Sequence, residues 1–152
     1  MSVIDFIILG EIQNGNKHPY IIADKVVNFD MVKISKPAVY KNAIKLHDKG
    51  FLNREIEQKT KMPARKVYSV NYEGEKEFKR LAKEIIKNPL TGEFNAIFIY
   101  SAFVDFNILV DELLKNLNNL KDKYKNKEDI FIKQKYLLVL TYINWIEWVL
   151  QG

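Results

Sequence analysis

Residues 35–50 read Ser35-Lys36-Pro37-Ala38-Val39-Tyr40-Lys41-Asn42-Ala43-Ile44-Lys45-Leu46-His47-Asp48-Lys49-Gly50, and Phe51-Leu52 follow at once. Serine with proline two residues later opens a helix: the hydroxyl accepts from an otherwise unpaired backbone N–H, and proline in the first turn has no N–H to lose. Gly50 closes it, because a helix ends readily on a residue that tolerates a left-handed backbone. On a wheel of about 100° per residue, Val39, Ala43, Leu46 and Gly50 share one side and are predicted to face a core. Pro37, Tyr40, Lys41, Ile44 and Lys45 fall on the far side. That outer face is cationic and aromatic, which suits an anionic surface.

Upstream, Ser2 with Asp5 resembles a capping box, and Val3, Ile4, Phe6, Ile7 and Leu9 predict a short buried helix ending near Asn14-Gly15. His18-Pro19 starts a second helix, to which Tyr20, Ile21, Val26 and Val27 give a partial apolar face. Downstream the period changes. Residues 53–58 alternate weakly, Lys66-Val67-Tyr68-Ser69-Val70 is β-branched and aromatic, and Lys59 to Pro63 between them is turn-like, so residues 54–71 predict a β-hairpin with a basic tip. Asn71 caps a fourth helix that carries Glu73 and Glu75 in its first turn and Phe78, Leu81, Ala82, Ile85 and Ile86 on its apolar face. Asn88-Pro89 ends that helix, and Thr91-Gly92 marks a connection.

The remainder predicts long helix. Phe103, Phe106, Val110, Leu113, Leu117, Leu120 and Tyr124 step alternately by three and four, and after Asn126 so do Ile132, Tyr136, Val139, Ile143, Ile146 and Leu150. Two antiparallel helices can cover one seam each. Leu109, Leu114, Leu138, Leu140, Trp145 and Trp148 then leave further apolar surface, for which a second copy of the chain is the economical cover. The chain accordingly divides into residues 1–88 and a helical dimerisation region, 89–152. Its expected interface is Phe103, Phe106, Val110, Leu113, Leu117, Leu120, Val139, Ile143, Ile146 and Leu150.

Charge follows the same division. Residues 1–88 hold 17 Lys and Arg against 11 Asp and Glu, a net +6, whereas residues 89–152 hold 7 against 8, a net −1. Between Lys33 and Lys66 ten basic residues meet only Asp48, Glu55 and Glu57. Such a concentration marks an anionic contact, unless the lysines simply solvate helix faces.

Several classes fall away. The chain has no cysteine, which removes disulfides, thiolate metal sites and cysteine nucleophiles and favours the cytoplasm. The first ten residues carry Asp5 and no Lys or Arg, unlike a signal peptide. The longest apolar stretch, Ala96 to Val110, is broken by Asp105 and is shorter than the roughly 20 residues of a membrane span. His18 and His47 are the only histidines, and neither a P-loop, a dinucleotide glycine pattern nor a carboxylate-rich metal pattern accompanies them, so neither an enzyme nor a cofactor is expected.

Three helices, a basic hairpin and a fourth helix are the order of a winged helix-turn-helix. The wording resembles the PadR family: Ile8-Leu9-Gly10, His18-Pro19-Tyr20-Ile21-Ile22, Ser35 through Val39-Tyr40 to Lys49-Gly50-Phe51-Leu52, Arg65-Lys66-Val67-Tyr68, and Asn71 to Gly74. Pro19 stands where that family usually has glycine, and Met62-Pro63-Ala64 replaces a commoner glycine-rich approach to the Arg-Lys pair. The resemblance implies a transcriptional regulator, commonly a repressor, without catalytic activity. It also implies a C-terminal dimerisation region, and some members respond to aromatic compounds.

The fold expected is therefore mainly α with a small β-hairpin: a winged helix-turn-helix followed by an antiparallel two-helix dimerisation domain. In a helix-turn-helix the start of the third helix enters the major groove. Tyr40 and Lys41 are then placed for bases and Lys36 and Lys45 for phosphates, with Ser35 and Pro37 in the opening turn. Ser35 has helix capping as its other role, and the Tyr40 ring has packing on the second helix. Lys59, Lys61, Arg65 and Lys66 of the wing can meet phosphates or a minor groove of double-stranded DNA, or can protect a strand edge by charge. Tyr142, Trp145 and Trp148 can line a cavity for a flat aromatic effector at the homodimer interface, or simply pack there. The rival function is a winged-helix module that binds protein and not DNA.

Overall fold

A computed structural model describes residues 3–30 and 32–152 of the chain. Among the described residues seven α-helices and one hairpin run in the order α1 (Val3–Gln13), α2 (Pro19–Val26), α3 (Lys36–Asp48), β1 (Leu52–Glu57), β2 (Arg65–Val70), α4 (Tyr72–Ile85), α5 (Asn95–Ile99), α6 (Phe106–Tyr124) and α7 (Ile130–Gln151). Short 3₁₀ turns at Pro89–Thr91 and Ser101–Phe103 flank α5. The expected capping box depends on Ser2, which lies outside the described residues.

α1 is wrapped on all sides. Phe6, Ile7, Ile8 and Leu9 are fully buried, and α3, α4 and β2 all pack against it. A helix buried on nearly every side, its two carboxylates Asp5 and Glu11 included, stands at the centre of this small domain. Phe6 stacks on Phe78 of α4 with ring centroids 4.3 Å apart, which ties the first helix to the fourth.

α3 begins and ends as its chemistry predicts. The Ser35 hydroxyl accepts from the Ala38 amide at 3.3 Å. At the other end Gly50 donates to His47 O and Phe51 to Leu46 O, at φ +86° for Gly50, so the paired closing bonds turn the chain directly into β1. Val39, Ala43 and Leu46 are buried, but Gly50 is exposed, because the helix has ended before a fourth inward position is reached. β1 and β2 pair antiparallel from Leu52 opposite Val70 to Glu57 opposite Arg65. Leu52 and Tyr68 are the strand residues anchored in the core, and the distal hairpin projects into solvent as a wing.

α2 differs from expectation. Its buried face is Pro19, Ile22, Ala23 and Val26, whereas Tyr20, Ile21 and Val27 are exposed. Val26 faces inward as expected, but Pro19, Ile22 and Ala23 complete the inward set in place of Tyr20, Ile21 and Val27, and Tyr20 is turned toward β2.

The expected long helix from Phe103 is also interrupted. Phe103 lies in a 3₁₀ turn and α6 starts at Phe106. Phe94, Ala96, Ile97 and Tyr100 of the preceding stretch are buried in the same continuous core as α1 and α4. The two heptad seams close on each other within one chain: Val110, Leu113 and Leu117 of α6 and Val139, Ile143 and Ile146 of α7 are buried where α6 packs on α7. Phe106, Leu120, Tyr136 and Phe103 are half-buried, and Leu150 is exposed. Among the described residues no helix is long and apolar enough to cross a membrane.

Candidate nucleic-acid interface

The outer face of α3 carries Pro37, Tyr40, Lys41, Ile44 and Lys45, all exposed. Tyr40 keeps 44% and Ile44 40% of their surface, so neither ring nor branched chain is spent on the core. A cleft of about 290 Å³ opens where this face meets α2 and β2, lined by Tyr20, Tyr40, Ile44, Arg65, Lys66 and Tyr68. α2, α3 and the wing thus meet on one surface.

The cations of this surface are not equivalent. Lys36 is paired with Asp24 of α2 at 2.7 Å. That hydrogen bond and the carboxylate's charge raise the Lys36 pKa above the ordinary lysine value. Ser35 is occupied as the cap of α3. Lys41, Lys45 and Lys66 are exposed on their elements. At the tip, Gln58 donates to Met62 O at 2.9 Å and the Met62 amide to Lys59 O at 3.1 Å, folding a compact turn in which Lys61 adopts φ +71°. Lys59 lies 3.6 Å from Glu57.

Arg65 is held differently. Its guanidinium sits 5.0 Å from the centroid of the Tyr20 ring and donates from Nη1 to the Tyr20 hydroxyl at 3.0 Å. Beside it the Tyr68 amide donates to Lys17 O at 3.0 Å, fastening β2 to the segment that precedes α2. Ile44 and Arg65 lie on this surface as the sequence predicts, whereas Tyr20, expected on the apolar face of α2, and Asp24 join them only in the fold. Spacing held the signal for Tyr20, since Ile22, Ala23 and Val26 form the better inward set.

Residues expected near an effector are not gathered into one site. Tyr142 meets buried Phe94 edge-on at 4.9 Å, and Trp145 meets Phe98 at 4.9 Å, with Phe98 in turn on Phe106 at 5.2 Å. Trp148 points away with 71% of its surface exposed. Among the described residues no group of three or more His, Asp or Glu could hold a metal ion.

Residues 8–80 match the model of the transcriptional regulator PadR-like family. Among solved structures the chain is similar to the crystal structure of Bacillus subtilis PadR in complex with operator DNA, at 18% identity and a TM-score of 0.48, covering 99% of this chain and 98% of that one. No curated protein matches the chain.

Proposed function

Through residues 8–80 the chain belongs to the PadR-like family of transcriptional regulators, and on that premise we propose that it is a dimeric, cytoplasmic DNA-binding repressor reading an inverted-repeat operator through helix 35–50 and wing 54–71. The observation that carries this reading is the convergence of α3's exposed Tyr40 and Ile44 with β2's Arg65 and Lys66 on one cleft. A face built from a helix and an adjacent basic hairpin can follow a major groove and the phosphates beside it. Tyr40 and Lys41 reach base edges. Lys45, Lys59, Lys61, Arg65 and Lys66 meet phosphates, and Lys36 joins them once it leaves Asp24.

The units proposed are a reading head, 1–88, and a pairing region, 89–152. The seams of α6 and α7 are spent inside the chain, so pairing falls to the outer side of α7. Ile130, Phe131, Leu137 and Trp148 are each more than three-fifths exposed there. Exposed apolar surface of that kind marks an association site. Tyr142, Trp145 and Trp148 lie on the same helix, and a flat aromatic effector would stack on the two tryptophans when a second copy closes the space.

Fluorescence anisotropy of a labelled duplex of mixed sequence, titrated at two salt concentrations, tests the core of the reading. Binding that weakens steeply with salt supports it, since each neutralised phosphate contributes about 0.9 to the logarithmic slope. Salt-insensitive or absent binding would instead favour a protein-binding module.

A further inference from the structure

Resting on the DNA-binding reading, we infer that Tyr20 is a positioning residue for the wing, which holds the Arg65 guanidinium aimed and unneutralised for a phosphate of the duplex. The ladder puts Glu57 opposite Arg65, and a carboxylate there is the obvious partner for an arginine. Glu57 is engaged elsewhere, 3.6 Å from His18 Nε2 and 3.6 Å from Lys59 Nζ. Among the described residues no carboxylate lies within ion-pair distance of Arg65, which is restrained instead by the Tyr20 ring and hydroxyl.

A neutral partner fixes an arginine without cancelling its charge. The aromatic face attracts the cation, the hydroxyl takes one N–H, and the remaining donors of the fork stay available. Lys36, whose charge is met by Asp24 at 2.7 Å, shows the opposite arrangement on the same surface. Two further contacts define where Tyr20 stands. Pro19 is buried at the start of α2, and His18 lies with its ring 5.4 Å from that of Tyr20. The backbone bond from Tyr68 to Lys17 then fixes β2 relative to the same segment. Arg65 therefore leaves the wing at a set angle, and the ordering cost of a long side chain is met before DNA arrives.

The test is a double-mutant cycle on binding to a labelled duplex of mixed sequence, with thermal unfolding followed in parallel. Arg65→Ala is expected to lower affinity several-fold and reduce the salt slope by about one contact. Tyr20→Ala should reproduce most of that loss in the native background and add almost nothing in the Arg65→Ala background, with the unfolding temperature nearly unchanged. Tyr20→Phe, which keeps the ring and loses the hydroxyl, should fall between. Equal losses from Tyr20→Ala in both backgrounds would overturn the inference by making Tyr20 an independent contact. No loss from either Tyr20 variant would overturn it by showing that Arg65 is held without the ring. Absence of salt-sensitive binding by the native protein is a separate result, which removes the DNA-binding reading and the inference with it.

Discussion

Tyr100 donates its hydroxyl to the carboxylate of Glu11 at 2.7 Å, joining residues 89 positions apart in a fully buried contact. Glu11 is completely enclosed, and its oxygens also take Asn16 Nδ2 at 2.7 Å and Lys25 Nζ at 2.8 Å. Gly10 makes the approach possible: a Cβ there would lie 2.7 Å from the Tyr100 ring. One carboxylate thus ties α1, the loop before α2, α2 itself and the end of α5. A buried charge so satisfied is tolerated, whereas one stripped of a partner is costly.

Tyr100→Phe should therefore destabilise the fold by about 1.5–3 kcal/mol, the usual worth of a hydrogen bond to a charged group, as read by denaturant unfolding at neutral pH. An alkaline signature separates this bond from mere packing. Burial first, and Glu11 second, push the Tyr100 pKa well above the ordinary phenol value. Above about pH 10 the unfolded chain releases a tyrosine proton that the folded chain keeps, so native stability falls as pH rises, by up to about 1.4 kcal/mol per unit from this group. Tyr100→Phe lacks that component, and its stability should decline less steeply between pH 10 and 11. Parallel curves would remove the phenol from the account.

How far such features were legible depends on range. Ser35, Pro37 and Gly50 announce α3 because caps and turns are local chemistry, and the three-four stepping from Phe103 to Tyr124 and from Ile132 to Leu150 announces α6 and α7 for the same reason, though it starts the first of them one step early. Tyr100 reads in sequence as one more apolar residue of the run from Ala96, since its partner Glu11 is close only after folding. α2 spans barely two turns, and with Tyr20, Ile21, Ile22 and Ala23 in a row a wheel of that length scarcely separates inside from outside. The seams were plain as periodicity, but periodicity does not say whether the partner is the same chain or another.

The orientation of α3 separates reading from folding. Tyr40→Ala and Lys41→Ala change exposed side chains and should cost less than about 0.5 kcal/mol in stability while removing preference for a selected operator. Leu46 is 2% exposed, and Leu46→Ala should cost about 2–5 kcal/mol through the cavity it leaves. Its effect on DNA should follow the folded fraction alone. Denaturant midpoints and competition between cognate and scrambled duplexes check both halves. A Tyr40→Ala protein that keeps its preference would take the ring off the reading surface.

Asp24 restrains the most N-terminal lysine of α3. Asp24→Asn frees Lys36 and removes a like charge from the approaching phosphates, so duplex binding should tighten and the salt slope should steepen by about 0.9. Thermal stability should hardly move, because exposed pairs are strongly screened. An unchanged slope would mean that Lys36 stays off the DNA backbone even when released.

The pairing surface can be tested without touching the seams. On a wheel of about 100° per residue Ile130, Leu137 and Trp148 lie on the side of α7 opposite Val139, Ile143 and Ile146, so α7 is apolar on two faces and the chain itself covers only one. Leu137 and Trp148 are 62% and 71% exposed. Leu137→Glu with Trp148→Glu should give folded monomers by sedimentation, with thermal stability lowered only by what pairing contributed, because charge placed in an apolar interface is not compensated. Leu113→Asp, by contrast, buries a charge inside one chain's hairpin and should unfold it. The monomers should also bind an inverted-repeat operator far more weakly than the dimer, since two reading helices about 34 Å apart act as one ligand only when joined. Single half-sites should show no such difference between monomer and dimer. Folded dimers surviving the double substitution would place the interface elsewhere, and equal affinity of monomer and dimer for the full repeat would show that pairing does not serve DNA reading.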